Sequence, residues 1–238
     1  MPSLRGLLIT DPLIILSIIF FGGASLVTSL FDGDGRKQAG IARRWARLML
    51  RIARVRVTVV GLEKIPEKAV CVIASNHLSF MDTPVVLAHI PVQFRFLAKH
   101  GLFKIPLLGT HLARAGHIPV YRGNPRQAVR TMSQAAETIQ RMGISLLVFP
   151  EGGRTRDGAL QAFNEGAAYI AIKAKAPLIP VALIGTREIL PMNSMQPVPG
   201  PVTVRIGDPI PTAAMTLRDR ERLTQMAHSQ IETMLALQ

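Results

Sequence analysis

Cysteine is nearly absent from this sequence, since Cys71 is the single cysteine in 238 residues. One cysteine excludes disulfides within the chain and any cluster of thiolates around zinc or iron–sulfur centres. Small secreted proteins held together by disulfides are therefore excluded. The six histidines also lack the His-Glu-x-x-His spacing that is typical of a zinc site, so we expect no bound metal.

Acidic residues are scarce relative to basic ones. The chain has 15 Asp and Glu against 28 Lys and Arg, which gives a formal net charge of +13. Nucleic acid, anionic lipid and a phosphorylated substrate are all polyanionic partners that such a charge favours. Only 5% of the residues are aromatic, whereas RNA-binding surfaces usually interleave aromatic and basic side chains. We therefore expect no nucleic-acid partner.

Three common catalytic signatures are also missing from the sequence. It has no Gly-x-Ser-x-Gly elbow for a serine nucleophile, no Walker A sequence, and no Gly-x-Gly-x-x-Gly motif after a predicted strand. The usual serine hydrolases, P-loop enzymes and dinucleotide-binding enzymes are thus disfavoured.

The longest apolar run lies near the amino terminus. Residues 12–31 contain no charged side chain, and 20 helical residues extend ~30 Å, about the thickness of a bilayer core. Pro12 and the Gly22–Gly23 pair leave two forms open, one spanning helix or a broken hairpin in a single leaflet. A cleaved signal peptide is the other alternative. Eight Lys and Arg residues follow between Arg36 and Arg56 with no acidic residue, which favours a cytoplasmic location for the rest of the chain.

This basic segment has the pattern of an amphipathic helix. One apolar stripe recurs every three or four residues, and arginines recur at the same spacing on another face. We expect it to lie on an anionic bilayer surface; the alternative is a helix packed on the domain with solvated arginines. The stripe consists of Ile41, Trp45, Leu48, Ile52 and Val55, and the arginines are Arg43, Arg47, Arg51 and Arg54. Residues 1–54 are thus predicted to be the membrane attachment and 55–238 the catalytic domain.

Beyond residue 55 the sequence predicts alternating strands and helices. The strands are expected at 55–60, 70–74, 94–98, 118–121, 146–149, 179–184 and 202–206, and the helices at 83–89, 103–113, 125–142, 165–174 and 217–237. This alternation is typical of the α/β class, a single sandwich domain whose mostly parallel central sheet is flanked by helices.

Two stretches after predicted strands carry candidate chemistry, because ligands of α/β sheets bind beyond the carboxyl ends of strands. In the first, His77 is followed five residues later by Asp82, which suits a general base and the carboxylate that orients it. The alternative is that Asp82 only caps the next helix. The second stretch, residues 149–154, reads Phe-Pro-Glu-Gly-Gly-Arg. Its two glycines let the backbone approach a ligand closely, and its arginine offers a guanidinium that suits phosphate oxygens. The alternative is an ordinary glycine turn.

Together the two stretches resemble the glycerolipid acyltransferase family, which includes the 1-acyl-sn-glycerol-3-phosphate (lysophosphatidic acid) acyltransferases. Four family blocks occur in family order. They are Asn76-His77-x4-Asp82, Ile-Pro-Val-Tyr-Arg ending at Arg122, Phe-Pro-Glu-Gly-Gly-Arg with Glu151, Gly152 and Arg154, and Pro180 within an apolar strand; Lys99 lies in a further family-like stretch. Gly153 replaces the threonine usual in the third block, although Thr155 is close in sequence.

The resemblance implies an enzyme that moves a fatty acyl group from acyl-CoA or acyl-carrier protein to lysophosphatidic acid, without a cofactor, at the cytoplasmic face of the inner membrane. It implies that His77 and Asp82 are catalytic and that Asn76, Lys99, Arg122, Glu151, Gly152, Arg154 and Pro180 bind substrate. Another lysolipid, such as lyso-ornithine lipid, is an alternative acceptor. A basic lipid-binding membrane protein without catalytic activity is the alternative from a different class.

Overall fold

A computed structural model describes residues 4–65, 70–121, 125–155 and 157–237. Its helices and strands follow the predicted alternation closely. The strands are β1 (Val55–Val60), β2 (Val72–Ser75), β3 (Phe94–Lys99), β4 (Ile118–Val120), β5 (Ser145–Val148), β6 (Leu178–Ile184) and β7 (Gly200–Ile206). The helices are α1 (Asp11–Thr28), α2 (Arg36–Ile52), α3 (Asp82–His89), α4 (Leu108–Arg114), α5 (Pro125–Met142), α6 (Gly166–Ala174), α7 (Thr186–Ile189) and α8 (Arg220–Ala236).

The strands form one mixed sheet in the order β1-β7-β6-β2-β5-β3-β4. Strands β2 to β6 pair in parallel, while β7 runs antiparallel to β6 and parallel to β1. The expected single α/β domain with a mostly parallel sheet is thereby confirmed, with an antiparallel β6–β7 pair that the alternation did not predict. The carboxyl ends of the five parallel strands meet at one edge of the sheet, hereafter the carboxyl edge.

Apolar side chains on both faces of the sheet build two cores. One core joins the sheet to α2 and α3 through residues such as Leu50 and Val85, and the other joins it to α5, α6 and α8 through residues such as Ile170 and Leu223. Each strand of a sheet covered on both faces buries its side chains in both directions, as β2, β5 and β6 do almost completely. The rigid three-layer centre therefore lies directly beneath the loops of the carboxyl edge.

The amino-terminal apolar run is one unbroken helical segment from Gly6 to Phe31, of which α1 is the main part. The Gly22–Gly23 pair does not interrupt it, so of the two forms left open by the sequence, the broken hairpin does not describe this segment. Pro12 lies in the first turn of α1, directly after the π-helical residues Gly6–Thr10 that begin the segment. By length and composition this segment is a candidate membrane helix, and only 11% of its most apolar window is buried within the protein.

Helix α1 packs against α2 and α4 and is tied to the domain at both ends. Near its amino end, Gln196 Nε2 donates a 2.8 Å hydrogen bond to Asp11. Near its carboxyl end, Ser25 Oγ lies 2.8 Å from Nδ1 of His111 on α4. The two ends of α1 thus contact different parts of the α/β domain.

Candidate active site

The site is built by loops that leave adjacent parallel strands. The chain passes from β2 into residues 76–81 and then into α3, while β5, the neighbour of β2, continues into residues 149–155. Since adjacent parallel strands end side by side, the two candidate stretches are brought into contact at the carboxyl edge. The contact is direct, because the N–H of Thr155 donates a 3.2 Å hydrogen bond to the carbonyl of His77.

His77 and Asp82 form a hydrogen-bonded pair with 2.7 Å between Nδ1 and Oδ2. Asp82 is fully buried, whereas the His77 side chain keeps 19% of its surface exposed. The same Oδ2 accepts the N–H groups of Leu78 at 2.7 Å and Ser79 at 2.9 Å. Because Oδ2 acts as the acceptor for these backbone groups, a neutral His77 would carry its hydrogen on Nδ1 and present Nε2 as a hydrogen-bond acceptor.

Asp82 is the first residue of α3, yet its carboxylate turns back to the preceding loop. A capping side chain would instead accept N–H groups two or three residues further along the chain. The alternative interpretation, in which Asp82 only caps the helix, therefore does not describe this carboxylate.

Two polar side chains hold the loop that carries His77 in place. The amide of Asn76 donates to the carbonyl of Leu183 at 2.9 Å and accepts its N–H at 2.8 Å. Ser79 Oγ donates to the carbonyl of Leu190 at 2.7 Å. Asn76 is buried with both ends of its amide on β6, so the contacts in this structure assign it to positioning of the loop.

Phe149 and Glu151 hold His77 from the β5 side. The Phe149 ring stacks on the imidazole with 4.1 Å between centroids and 15° between planes. Glu151 Oε1 accepts the backbone N–H of His77 at 2.6 Å, and Oε2 accepts that of Gln161 at 3.1 Å. Partial burial raises the pKa of Glu151, while these hydrogen bonds act in the opposite direction.

Gly152 allows the turn that carries Glu151. Its φ is +76°, and an added Cβ would lie 3.2 Å from Nδ2 of Asn164. Asn164 in turn closes the loop by donating its side-chain and backbone N–H groups to the carbonyl of Pro150. Any other residue at position 152 would adopt a strained backbone conformation.

Arg154 places a cation beside the pair. Its guanidinium carbon lies 3.6 Å from the centroid of the Phe80 ring, which is half exposed. Among the described residues, its Nη1 is buried without a hydrogen-bond partner, and so is Oγ1 of Thr155. These groups can donate to an anionic ligand that enters the site.

Comparison with known proteins identifies the family. The sequence model described as "Acyltransferase" matches residues 56–184, more than half of the chain. The chain belongs to this acyltransferase family. It is 35% identical over 183 residues to a chloroplastic 1-acyl-sn-glycerol-3-phosphate acyltransferase of Brassica napus, an alignment that covers 76% of this chain and 52% of that protein. The chain spans about half the length of the chloroplastic relatives that it matches.

Two bacterial proteins match over more of their length. The 1-acyl-sn-glycerol-3-phosphate acyltransferase of Borreliella burgdorferi is 30% identical over 189 residues, which are 79% of this chain and 75% of that protein. The crystal structure of the lysophosphatidic acid acyltransferase PlsC from Thermotoga maritima has a TM-score of 0.80 and 26% identity, with 99% of this chain and 98% of that chain covered. The resemblance expected from the four blocks is thereby confirmed.

Of the remaining predicted site residues of this acyltransferase, the structure describes Lys99 and Pro180. Lys99 ends β3 and is exposed. Pro180 is buried in β6 opposite Ala74 of β2, so its role in the structure is to fill the sheet interior next to the His77 loop. Arg122 lies outside the described residues. For Lys99, Arg122 and Pro180, substrate contact stays a prediction.

Three contacts of the site were not predicted from the sequence. They are the stacking of Phe149 on His77, the bond from Ser79 Oγ to Leu190, and the closure of the glycine turn by Asn164. Phe149 could have been found, since it belongs to a block that already pointed to the site. Ser79 and Asn164 gave no signal, because their partners are backbone carbonyls that only the folded chain brings near.

Proposed function

We propose that this acyltransferase moves a fatty acyl group from a thioester donor to the free hydroxyl of 1-acyl-sn-glycerol-3-phosphate, which yields phosphatidic acid. The observation that carries the proposal is the pairing of His77 with buried Asp82, with the guanidinium of Arg154 nearby. The names of the similar proteins support the same reaction.

His77 would act as the general base. An alcohol is a poor nucleophile at neutral pH, and Nε2 within hydrogen-bond reach would accept its proton as the oxygen attacks the thioester carbon. The imidazolium that forms is stabilised by Asp82, whose Oδ2 lies 2.7 Å from Nδ1. General-base assistance of this kind contributes ~10²–10⁴-fold to the rate.

The second half of the reaction would return the proton. The tetrahedral intermediate collapses with cleavage of the carbon–sulfur bond, and the departing thiolate takes the proton from Nε2 of His77. One ester bond forms and one thioester bond breaks, so the base is regenerated without a covalent acyl-enzyme. The buried position of Cys71 in the core agrees with this route, since that thiol is inaccessible to substrate.

Arg154 would bind the acceptor phosphate. Its buried Nη1 has no partner among the described residues, and a guanidinium matches phosphate oxygens in geometry and charge. Glu151 would act through His77, because its Oε1 accepts the His77 backbone N–H rather than pointing away from the loop. This is a positioning role and differs from the hydroxyl contact that the resemblance implies.

Helix α1 would attach the enzyme to one leaflet of the cytoplasmic membrane. Large apolar side chains such as Leu16, Ile19 and Phe20 are exposed along it. At ~1.5 Å per residue α1 is about 27 Å long, and both its ends are hydrogen-bonded to the catalytic domain. A helix held in this way could cross the bilayer only if the domain entered it, so a position within one leaflet is favoured.

Turnover by the purified full-length chain tests the proposal. Lysophosphatidic acid is offered with acyl-CoA and, separately, with acyl-carrier protein, and both phosphatidic acid and free thiol are measured. We expect His77→Ala to abolish both products, whereas His89→Ala, a matched histidine control on α3, keeps them. Retention of turnover by His77→Ala would refute the base assignment.

A panel of acceptors separates the alternatives. Turnover with lyso-ornithine lipid but not lysophosphatidic acid would replace the proposed acceptor. No thiol release with any lysolipid, together with retained vesicle binding, would favour the lipid-binding protein without catalysis.

A further inference from the structure

Residues 102–108 expose an unusual concentration of apolar surface, hereafter the 102–108 patch, which consists of the side chains of Leu102, Ile105, Leu107 and Leu108. Their exposures are 38%, 46%, 70% and 41%. Single exposed leucines are common on soluble proteins, but four large apolar side chains within seven residues are characteristic of an interaction surface.

We propose that the 102–108 patch is a second membrane-inserting element, which enters the interface of an anionic lipid bilayer beside α1. The inference rests on the proposed function in one respect, namely that the acceptor is a lipid of that bilayer.

The patch is connected to the α1 segment through α4. The patch follows β3 and leads into α4, and α4 contacts α1. Besides the bond between Ser25 and His111, Nη1 of Arg114 donates a 2.8 Å hydrogen bond to Ser29 Oγ at the end of the α1 segment. Because β3 is one of the parallel strands, the patch also lies at the carboxyl edge, where His77 lies.

The charges around the patch suit an anionic surface. Lys99 precedes it and Lys104 lies within it, and both lysines are exposed. No acidic residue occurs anywhere from residue 99 to residue 114. Apolar side chains bordered by cations can insert into the acyl region while the ammonium groups remain among lipid phosphates. A soluble protein partner would not require this charge pattern.

The backbone holds Leu107 outward at a conformational cost. Leu107 has φ of +64°, and the N–H of Leu108 donates a 2.7 Å hydrogen bond to the carbonyl of Pro106, which makes a γ-turn with positive φ at its centre. This turn is strained for residues with a Cβ. The Leu107 side chain is 70% exposed, so little packing within the chain compensates the strain, whereas insertion into lipid would.

Depth labelling tests the proposal directly. Cys71 is buried and is replaced by alanine, after which Leu107→Cys and, separately, Leu62→Cys are labelled with an environment-sensitive fluorophore. Leu62 is a matched control, because it is 41% exposed and follows β1, which runs antiparallel to β2 and so ends at the opposite edge of the sheet. The full-length chain is mixed with vesicles of phosphatidylethanolamine and phosphatidylglycerol, some with brominated acyl chains.

We expect a blue shift and bromine quenching for the label at position 107 and neither for the label at position 62. A label at position 107 that remains as exposed to water as the one at position 62 would overturn the proposal. These outcomes do not depend on turnover, so they are distinct from failure of the proposed acyl transfer.

A second measurement separates membrane contact from a purely structural role. Leu107→Gly relieves the positive φ, so its thermal unfolding temperature should rise or stay unchanged, while its vesicle partition coefficient falls ~10-fold through loss of a leucine side chain from lipid. Leu62→Gly should leave partitioning unchanged. Equal partitioning of Leu107→Gly and the unmodified chain would contradict the proposal.

Discussion

Replacement of Asp82 by asparagine isolates the contribution of the Asp82 charge to the rate of acyl transfer. In Asp82 one oxygen, Oδ2, accepts three hydrogen bonds, from His77, Leu78 and Ser79. The other oxygen, Oδ1, is buried without a partner among the described residues. An asparagine can therefore place its carbonyl oxygen at the Oδ2 position and its NH₂ group at the Oδ1 position.

The two backbone donors select this orientation of the amide. The opposite orientation would direct the NH₂ group at the N–H groups of Leu78 and Ser79, which also donate. We therefore expect Asp82→Asn to keep the hydrogen on Nδ1 of His77 and the free electron pair on Nε2. What the variant loses is the negative charge beside the imidazolium that the proposed mechanism forms at His77.

The size of the expected loss in kcat follows from Coulomb's law. Opposite unit charges about 4 Å apart attract by about 4 kcal/mol at an effective dielectric constant of about 20. A loss of about 4 kcal/mol in the transition state lowers kcat ~10³-fold. The acceptor KM should change little, because Asp82 is fully buried and the charge interaction develops only in the transition state.

The assay is release of thiol and of phosphatidic acid by the purified full-length variant, with thermal unfolding as the control for folding. A kcat within tenfold of the unmodified enzyme would show that no imidazolium forms in the rate-limiting step. A loss as complete as that of His77→Ala would show that the amide had turned and moved the hydrogen to Nε2. Either result would refute the reasoning.

Three further predictions concern the proposed phosphate contact of Arg154, the glycine turn and His117. Arg154→Ala should raise the acceptor KM ~10-fold or more, because a charged hydrogen bond is lost. The rise in KM should be smaller for a lysolipid that lacks phosphate. If steady-state kinetics gave equal rises for both acceptors, Arg154 would not contact the phosphate. Gly152→Ala should lower the free energy of unfolding by about 1–2 kcal/mol, because alanine is strained at a positive φ. Urea titration measures this loss, and a urea midpoint equal to that of the unmodified chain would contradict the prediction. Burial lowers the pKa of His117 to about 3, so below pH 6.5 the unfolded chain binds a proton that the folded chain does not. Stability should fall by up to about 1.4 kcal/mol per pH unit between about pH 6.5 and 3. His117→Asn keeps an acceptor for the Phe96 N–H and should show a shallower decline in urea titrations; equal slopes would contradict the prediction.

The order of strands and helices was largely predictable from the sequence, because the buried strands are short apolar runs bounded by Gly, Pro or Asn. Every predicted strand from 55–60 to 202–206 is present, with ends that differ by at most two residues. The helix predicted at 103–113 begins later, at Leu108. Pro106 and the γ-turn at Leu107 interrupt the apolar periodicity there, and the leucines that suggested a helix are exposed.

The predicted start of α5 falls only partly within the structure. Pro125 begins the helix as expected, while Asn124, its predicted cap, lies outside the described residues. The division of the chain at residue 54 into a membrane segment and a domain also stays a prediction. Helix α2, which lies before that division, packs on α3 and β1 as part of the first core. Its exposed arginines, including Arg47 and Arg51, fit both a solvated face and a lipid surface.

The composition of the site was more predictable than its geometry. Spacing and resemblance predicted that His77 and Asp82 would pair, because a separation of five residues within one turn is a local property. The contacts from Phe149 and Glu151 depend on β2 and β5 being neighbours. Alternation of strands and helices does not specify which strands are adjacent, so these contacts could not be derived.

Gly153 stands where the family block usually has threonine. Thr155, two residues later, contacts the His77 loop through its backbone N–H, and its buried hydroxyl has no partner among the described residues. A hydroxyl therefore remains on the residue that bonds to the His77 backbone, although its place in the sequence has moved by two residues. If it assists acceptor binding, Thr155→Ser should retain the acceptor KM and Thr155→Val should raise it, whereas a side chain that only fills space would be replaced better by valine than by serine.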